Sequence, residues 1–338
     1  MRVLATLDKF RGTASAAEAA SAVSAACWEL GFDCREVPMS DGGEGILDVL
    51  GGPNRTATVT GPLGRPVDAA WGIHGRVAII EMARASGLVL AGGARGNDPL
   101  GATTAGTGEL VERAIESGAR TVIVGLGGSA TTDGGLGAVE VLRSPARFGT
   151  IELRVACDVR TPFLDAAAVF APQKGASPAV VSMLTARLHQ LADRYERDFG
   201  VDVRPLEGGG AAGGLAGGLA ALGARLLGGF DLVADHVDLD DRVAEADLVV
   251  TGEGHLDAQS LDGKVVGGVC EVAVAAATPV LVIVGSADAE ARATLEATAT
   301  ASAPITVIDL VATFGTDQAF TEPLRCIEQA TRTVLTAL

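Results

Sequence analysis

The strongest constraint on the fold is a series of uninterrupted apolar runs, rich in Val and Ile, that alternate with helix-forming segments at both ends of the chain. The runs are RVLATL and CREVPMS near the start, and DLVVTGEG, PVLVIVG and ITVIDLV near the end. The alanine-rich segment ASAAEAASAVSAACWEL lies between the first two. Continuous Val and Ile runs indicate strands buried on both faces of a parallel sheet that helices cover. We therefore expect both chain ends to form one Rossmann-like domain.

The middle of the chain follows a different pattern. Three short β-rich runs with Gly or Pro turns between them come first: TATVTG, VDAAWGI and RVAIIEMA. This spacing is typical of antiparallel strands. A helix, a further strand (TVIV) and a long helix from about Pro178 to Phe199 follow. We predict an α/β fold with two domains. Residues 1–55 plus 230–338 form the parallel-sheet domain, residues 56–229 form an inserted mixed α/β domain, and the active site lies in the cleft between them.

Composition excludes several classes of protein. The formal net charge is −16 and no Lys/Arg-rich run exists, whereas nucleic-acid binding needs a basic surface. No apolar run approaches the roughly 18 residues of a membrane span, and the N-terminus does not resemble a signal peptide. The five cysteines contain no C-x-x-C pair, which favours free thiols in a reducing compartment. We expect a cytoplasmic protein, monomeric or homodimeric, that binds neither nucleic acid nor membranes.

Four glycine-rich segments carry acidic residues, and each follows a predicted strand. They are DKFRG (residues 8–12), SDGGEG (40–45), GGSATTDGG (127–135) and TGEGHLD (251–257). Ligands of open α/β sheets bind beyond the carboxyl ends of the strands, and glycine lets backbone N–H groups approach an anion there. Acids beside a bound phosphate require a cation between them, and Mg²⁺ is usually held by one or two carboxylates plus phosphate oxygens. The pattern predicts a phosphate site with Mg²⁺.

Two alternatives remain open. GLGGSA, which begins at Gly125, satisfies the dinucleotide pattern G-x-G-x-x-A, so an NAD-dependent dehydrogenase is one alternative. The acid that this fingerprint needs about 20 residues later is missing, since the candidate Asp158 lies 33 positions after Gly125. A non-catalytic small-molecule sensor on the same fold is the other. No P-loop motif is present.

Lysine usage adds a second indication of phosphate binding. Only three of the 26 basic residues are lysine, namely Lys9, Lys174 and Lys264. All three lie in glycine-bearing loops, and a compact ammonium on a flexible stem suits phosphate contacts.

Six segments, taken in order, resemble the bacterial class I glycerate kinases: DKFRGTASAAEAA, PMSDGGEGILD, GLGGSATTDGGLGA, CDVRTPFLDAAAVFAPQKGASP, GGGAAGGLAGGL and ADLVVTGEGHLDAQSLDGKV. The resemblance extends from the first strand to near the C-terminus. It implies ATP-dependent phosphorylation of D-glycerate, with 2-phosphoglycerate as the product and Mg²⁺ as a cofactor. It also implies two α/β domains with a cleft between them.

With this chemistry in mind, we assign hypothetical roles. Phosphates of ATP would be held by Gly127, Gly128, Ser129, Thr131, Gly210, Gly213 and Lys264. The catalytic groups would be Asp41, Asp158 and Lys174, where either aspartate accepts the hydroxyl proton and Lys174 offsets phosphate charge. The substrate would contact Lys9, Arg11, Ser40 and Glu44, with Lys9 or Arg11 on its carboxylate. Mg²⁺ would be bound by Asp8 and Glu253, with Glu44 as a competitor.

The chain departs from the family pattern at three places. Lys9 and Arg11 stand where the first motif often has serine and lysine. Ala105 stands where the family commonly has tyrosine. The segment Arg143–Glu152 is shorter than the usual excursion, which predicts a trimmed surface loop in the inserted domain.

Overall fold

A computed structural model describes residues 1–142 and 151–337. Contacts divide the chain into two compact units, Met1–Asp41 with Phe230–Leu338, and Gly42–Gly229. The first boundary lies after residue 41 rather than after residue 55. The reason is that the Glu81 carboxylate of the second unit accepts hydrogen bonds from the N–H groups of Gly45 and Leu47. Residues 143–150 of the shortened segment lie outside the described residues.

The strands that the structure describes are β1 (Arg2–Ala5), β2 (Asp33–Glu36), β3 (Arg55–Thr60), β4 (Pro66–His74), β5 (Val77–Glu81), β6 (Thr121–Gly125), β7 (Glu152–Ala156), β8 (Arg225–Leu227), β9 (Leu248–Leu256), β10 (Val280–Ala287) and β11 (Ile305–Asp309).

The helices up to residue 221 are α1 (Ala16–Glu29), α2 (Ile46–Val49), α3 (Ala83–Ser86), α4 (Gly93–Gly96), α5 (Ala105–Glu116), α6 (Leu136–Val141), α7 (Ala166–Phe170), α8 (Pro178–Phe199) and α9 (Ala211–Ala221). The later ones are α10 (Gly229–His236), α11 (Leu239–Glu245), α12 (Val265–Ala275), α13 (Ala289–Ala297), α14 (Leu310–Phe314), α15 (Thr316–Thr321) and α16 (Pro323–Ala337). None of these described helices is long and apolar enough to cross a membrane.

The first unit contains a parallel sheet with the strand order β11-β10-β9-β1-β2, which confirms the predicted parallel sheet from both chain ends. The chain runs from β1 to β2 in one direction across the sheet, and from β9 through β10 to β11 in the other. The direction therefore reverses between β1 and β9. In open α/β sheets the ligand crevice lies at this point, beyond the carboxyl ends of the strands.

Helix α1 shows why the alanine-rich segment folds as predicted. Its N-terminus has a capping box, in which the Ser15 hydroxyl accepts from the N–H of Glu18 and the Glu18 carboxylate accepts from the N–H of Ser15. One face buries small residues, among them Ala19, Ala20 and Val23, against the sheet. The helix therefore packs closely without aromatic side chains.

The second unit contains a mixed sheet with the order β3-β4-β5-β6-β7-β8. Strands β3, β4 and β5 pair antiparallel, whereas β5 through β8 pair parallel. This confirms the predicted antiparallel start and the mixed architecture of the inserted segment. The long helix α8 occupies the predicted span Pro178–Phe199 and buries Leu184, Leu188 and Tyr195.

Helix α9 begins with a distorted turn that the glycines permit. Ala212, Gly213 and Gly214 have left-handed backbone conformations, with φ values of 52°, 70° and 91°. A Cβ atom on Gly213 would lie 2.0 Å from the carbonyl oxygen of Thr131. Gly213 thus lets the start of α9 lie directly against the loop that follows β6.

We predict that Gly213→Ala destabilises the protein far more than Gly223→Ala. Both glycines have positive φ, but a Cβ on Gly223 would meet nothing within 4 Å. Gly223→Ala should lower the free energy of unfolding by about 1–2 kcal/mol, the cost of a left-handed alanine. Gly213→Ala should cost at least about 2 kcal/mol more because its backbone must move. Urea unfolding measures both, and equal losses would contradict the close approach.

Candidate active site

A cavity of about 410 Å³ opens in the first unit. Its walls come from the segments that follow β1 and β2, from the end of β9, and from the segment before α12. Six residues that the sequence predicted for the site line it: Asp8, Lys9, Arg11, Asp41, Glu253 and Lys264. They are distant in sequence, and the parallel sheet brings them together at its carboxyl edge.

An ion-pair cluster forms one side of this cavity. Lys9 Nζ lies 3.2 Å from Asp41 Oδ1 and 3.7 Å from Asp8 Oδ1. Burial lowers the pKa of Lys9, but the two carboxylates more than offset this effect, so that the net pKa is raised. The Lys9 ammonium is therefore already paired within the protein. Arg11 is exposed and forms no ion pair with another described residue, which leaves its guanidinium available for a carboxylate ligand.

Two carboxylates meet at the switch point between β1 and β9. Asp8 follows β1, and its N–H donates to Gly252 O on β9, one residue before Glu253. Burial raises the pKa of Asp8 to about 6; the Lys9 ammonium opposes the shift and the Asp41 carboxylate adds to it. Burial raises the pKa of Glu253 to about 7, an effect that the Ser260 hydroxyl opposes and the Asp8 charge increases.

The chemistry of this pair fits a divalent cation. Glu253 Oε1 is buried and accepts no hydrogen bond from any described residue. Within the described ranges no three His, Cys, Asp or Glu side chains are grouped as a metal site. Mg²⁺ needs only one or two protein carboxylates when phosphate and water oxygens supply the rest. Asp8 and Glu253 therefore suit Mg²⁺ together with a phosphate ligand.

The rim of the cavity contains residues that sequence reasoning missed. His255 Nδ1 lies 2.8 Å from Ser286 Oγ, and its Nε2 lies 3.6 Å from Asp288 Oδ1. Phe320 is 60% exposed although it is a large apolar residue, and it also lines the cavity. The TGEGHLD segment offered a signal for His255. No local signal points to Phe320, because its place at the rim depends on how α15 packs.

The predicted glycine cradle lies in the second unit, between β6 and α6. Leu88 N–H donates to Gly128 O (2.8 Å), Ala130 N–H donates to Ser86 O (3.0 Å), and Gly134 N–H donates to Gly213 O (3.0 Å). These bonds fix the loop from both sides. The backbone N–H groups of residues 127–129 donate to no described residue, and Gly128 is exposed. Consecutive backbone N–H groups that have no acceptor within the protein can bind an anion.

Lys174 supports this loop from inside. Its side chain is 3% exposed, and Nζ donates to Ser129 Oγ and to Thr131 O, both at 2.7 Å. Burial lowers the pKa of Lys174 to about 7, although the nearby Asp133 carboxylate opposes the shift. This geometry does not support the predicted contact between Lys174 and a phosphate. Its amino group is buried and directed at protein oxygens.

Asp133 is a structural residue that the sequence did not identify. Its Oδ2 accepts from Thr104 N–H (2.9 Å), Thr104 Oγ1 (2.8 Å) and Gly137 N–H (3.1 Å), and its Oδ1 accepts from Gly135 N–H (3.1 Å). This carboxylate occupies the N-terminus of α6, where a dinucleotide fingerprint places the pyrophosphate. A dehydrogenase site at Gly125 is therefore incompatible with the loop.

Three predicted phosphate-binding residues have internal partners instead. Thr131 is fully buried, and its hydroxyl points to Ala212 O at 3.4 Å. The N–H of Gly210 donates to Thr161 O (2.9 Å), so it has no donor left for a phosphate. The carbonyl of Gly213 accepts from the loop. Thr131 and Gly210 therefore use these groups inside the protein, and Gly213 contacts the loop closely through its backbone.

The remaining predicted residues are divided between the two units. Ser40 is buried at the end of the segment after β2, in the first unit. Glu44 is exposed in the second unit, and its loop lies against the cradle, since a Cβ on Gly127 would be 3.1 Å from Glu44 N. Asp158 Oδ1 accepts from the N–H of Gly229 (2.8 Å), which gives this carboxylate a structural partner.

The lowered pKa of Lys174 predicts a specific pH dependence of stability. The ordinary lysine pKa is 10.5 and the folded value is about 7. Between these values the unfolded chain binds a proton that the folded chain does not, so stability rises with pH. Relative to Lys174→Met, the wild type should gain about 1 kcal/mol of unfolding free energy per pH unit from about pH 7.5 to about 9.5.

Urea unfolding across this pH range measures the difference. Arg95→Met is the control, because it removes a cation from an exposed position on α4. A parallel pH dependence of wild type and Lys174→Met would contradict the lowered pKa of the buried Lys174 amino group.

Comparisons with known proteins agree with this architecture. The model of the glycerate kinase family matches residues 3–144 and 142–338. The chain is 39% identical over 326 residues to glycerate 2-kinase of Escherichia coli K12, and 38% identical over 326 residues to glycerate kinase of Bacillus subtilis 168, with 85% of each chain covered in both cases. The crystal structure of putative glycerate kinase 2 from Salmonella typhimurium LT2 superposes with a TM-score of 0.83 and 33% identity, covering 100% of this chain and 98% of the other. The chain therefore belongs to the glycerate kinase family.

Proposed function

We propose that the protein transfers the γ-phosphoryl group of ATP to the 2-hydroxyl of D-glycerate, with 2-phosphoglycerate and ADP as products. One structural observation supports the proposal in addition to family membership. The buried Asp8 and the half-buried Glu253 share a cavity with the cations Lys9, Arg11 and Lys264 at the switch point of a parallel sheet. Phosphoryl transfer depends on positioning and charge neutralisation more than on covalent participation by the protein. This cavity offers groups for both.

Asp8 and Glu253 would hold Mg²⁺. When bound, the ion would neutralise negative charge on the phosphate oxygens. The raised pKa values of both carboxyl groups agree with this role, because burial removes hydration from both and a bound cation would compensate for it. Lys264, the residue just before α12, would add a positive charge beside them.

Glycerate requires a cation for its carboxylate and a proton acceptor for its hydroxyl. Between the two candidates for the cation, Arg11 is favoured, since Lys9 is already paired with Asp41 and Asp8. Between the two candidates for the acceptor, Asp41 is favoured. It lines the cavity, whereas Asp158 accepts a hydrogen bond from a backbone N–H.

The cradle of residues 127–129 would bind an oxyanion of one of the two substrates. Its support is the row of unused N–H groups and the exposure of Gly128. That both units contribute to one active site stays a prediction. The five cysteines are all free thiols, which supports a reducing, cytoplasmic setting.

ADP release on addition of D-glycerate, ATP and Mg²⁺ tests the activity. Phosphorus NMR of the product, together with enolase added without phosphoglycerate mutase, identifies the phosphorylated hydroxyl. Formation of phosphoenolpyruvate means 2-phosphoglycerate, and its absence despite ADP release means the 3-phosphate. Saturable binding of D-glycerate with no turnover would instead support a sensor.

We predict that Asp41→Asn keeps the fold and lowers kcat by at least about 100-fold, the usual cost of removing a general base. Asp158→Asn is the matched control, since it makes the same change on a carboxylate with a backbone partner. Steady-state kinetics and thermal melting of both variants are the measurements. If only Asp158→Asn loses its kcat, Asp158 is the base and Asp41 has a binding role.

We further predict that Lys264→Met lowers kcat/KM for ATP by about 100-fold, the scale of losing one oriented electrostatic donor. Methionine keeps the stem and deletes the charge. Arginine should rescue poorly, because its flat fork does not replace a compact ammonium. Steady-state kinetics of the two variants measure the effect, and thermal melting checks that they fold. If both variants are as active as the wild type, Lys264 has no role in the mechanism.

A further inference from the structure

The buried lysine beneath the glycine cradle is tied to the loop by its main chain as well as by its side chain. Asn97 Nδ2 donates to the carbonyl of Lys174 and to the carbonyl of Ala130, both at 2.9 Å. The next residue, Gly175, has φ 94°, and a Cβ there would lie 2.2 Å from Ala94 O. The backbone at Lys174 is therefore held in one place, and Nζ reaches the loop from a fixed origin.

The direction of the contact with Ser129 follows from hydrogen-bonding chemistry. A lysine ammonium has three donors and no acceptor, whereas a hydroxyl has one donor and two acceptor lone pairs. Ser129 Oγ must therefore accept from Lys174 Nζ at 2.7 Å. A neutral amine would also have a lone pair that could accept from the Ser129 hydroxyl, so this direction belongs to the charged form of Lys174, which an anion bound close by would favour.

The hydroxyl hydrogen of Ser129 consequently needs a different acceptor. No other described residue accepts a hydrogen bond from the Ser129 hydroxyl, and the residue as a whole is 8% exposed. It lies next to the unused N–H groups of residues 127–129. The serine hydroxyl and these N–H groups together amount to four donors without an acceptor among the described residues.

We propose that Lys174 is a positioning residue: by donating to Ser129 Oγ, it commits the Ser129 hydroxyl to donate to an oxyanion bound at residues 127–129. This inference rests on the proposed function and deepens it. The ligand class at the cradle is an oxyanion, either a nucleotide phosphate or the carboxylate of glycerate. Lys174 itself does not contact the ligand.

The inference makes the two side chains interdependent. Without Lys174, the Ser129 hydroxyl can turn inward and donate to Thr131 O, which has lost its own donor. Without Ser129, Lys174 has no means of reaching the ligand. Removal of either residue should therefore weaken binding of the oxyanion, and removal of the second should add little.

A double-mutant cycle tests this interdependence. Isothermal titration calorimetry would measure binding of ATP, of tripolyphosphate and of D-glycerate, each alone, to wild type, Ser129→Ala, Lys174→Met and the double variant. Ser129→Ala and Lys174→Met should each weaken one ligand class about 10- to 100-fold, the loss of a hydrogen bond to a charged group. The Kd of the double variant should be within about 3-fold of the Kd of the weaker-binding single variant. Independent losses would instead multiply.

The ligand that weakens identifies the source of the oxyanion. Loss confined to ATP and tripolyphosphate assigns the cradle to phosphate, and loss confined to D-glycerate assigns it to the carboxylate. Arg95→Met controls for removal of a cation from the same unit, and Ser129→Thr should restore binding because it keeps the hydroxyl. If Lys174→Met does not fold, Lys174→Gln takes its place, since its amide keeps one donor for Ser129.

Additive losses would overturn the inference, because Lys174 would then act through its own charge. Unchanged binding in both single variants would overturn it as well. In the Lys174→Gln background, Ser129→Ala should weaken oxyanion binding as much as it does in the wild type. If Ser129→Ala does not weaken binding in that background, the inference is contradicted. Activity assays separate the two proposals. If the wild type phosphorylates D-glycerate but Ser129 and Lys174 are not coupled, the proposed function stands and the inference fails. If the two residues are coupled but no turnover occurs, the inference stands and the proposed function fails.

Discussion

The burial of Asp8 beside Glu253 at the switch point of the parallel sheet is the constraint on which the candidate site depends. Burial raises the pKa of both carboxyl groups, and a neighbouring carboxylate adds to each shift, Asp41 for Asp8 and Asp8 for Glu253. The fold tolerates them because Lys9 and Lys264 line the same cavity. The arrangement stabilises the folded protein poorly, yet it places carboxylates and ammonium groups around one cavity.

The second unit also buries an ionisable side chain, but here the side chain is basic rather than acidic. The amino group of Lys174 is buried under a loop of glycines, and its donors go to loop oxygens. The only acid of that loop, Asp133, is likewise turned inward and satisfies four donors. With both side chains used inside, the loop keeps the backbone N–H groups of residues 127–129 and the Ser129 hydroxyl as donors without an acceptor among the described residues. Such a set of donors suits an anion without presenting a carboxylate that would repel it.

Sequence reasoning was right about the elements and weaker about individual residues. Val/Ile runs such as that of β10 predicted the parallel sheet because a strand that is buried on both faces has apolar residues at consecutive positions. Glycine in the loop after β6 predicted an unusual backbone. The same glycine pattern at Gly210 suggested N–H donors, but its N–H bonds to Thr161 O. Whether a loop donor is free or used depends on a partner far away in sequence, and no local pattern records that partner.

The sequence by itself determined the fold class, the two-part organisation and the family, because these depend on periodicity and on ordered motifs within single segments. The tertiary structure decided which charges face a ligand. Lys9, Lys174 and Lys264 look alike in the sequence, each in a glycine-bearing loop. In the fold, Lys9 is paired with carboxylates, Lys174 is buried, and Lys264 lines the cavity. The physical reason is that hydration and pairing of a charge are set by the elements that pack around it.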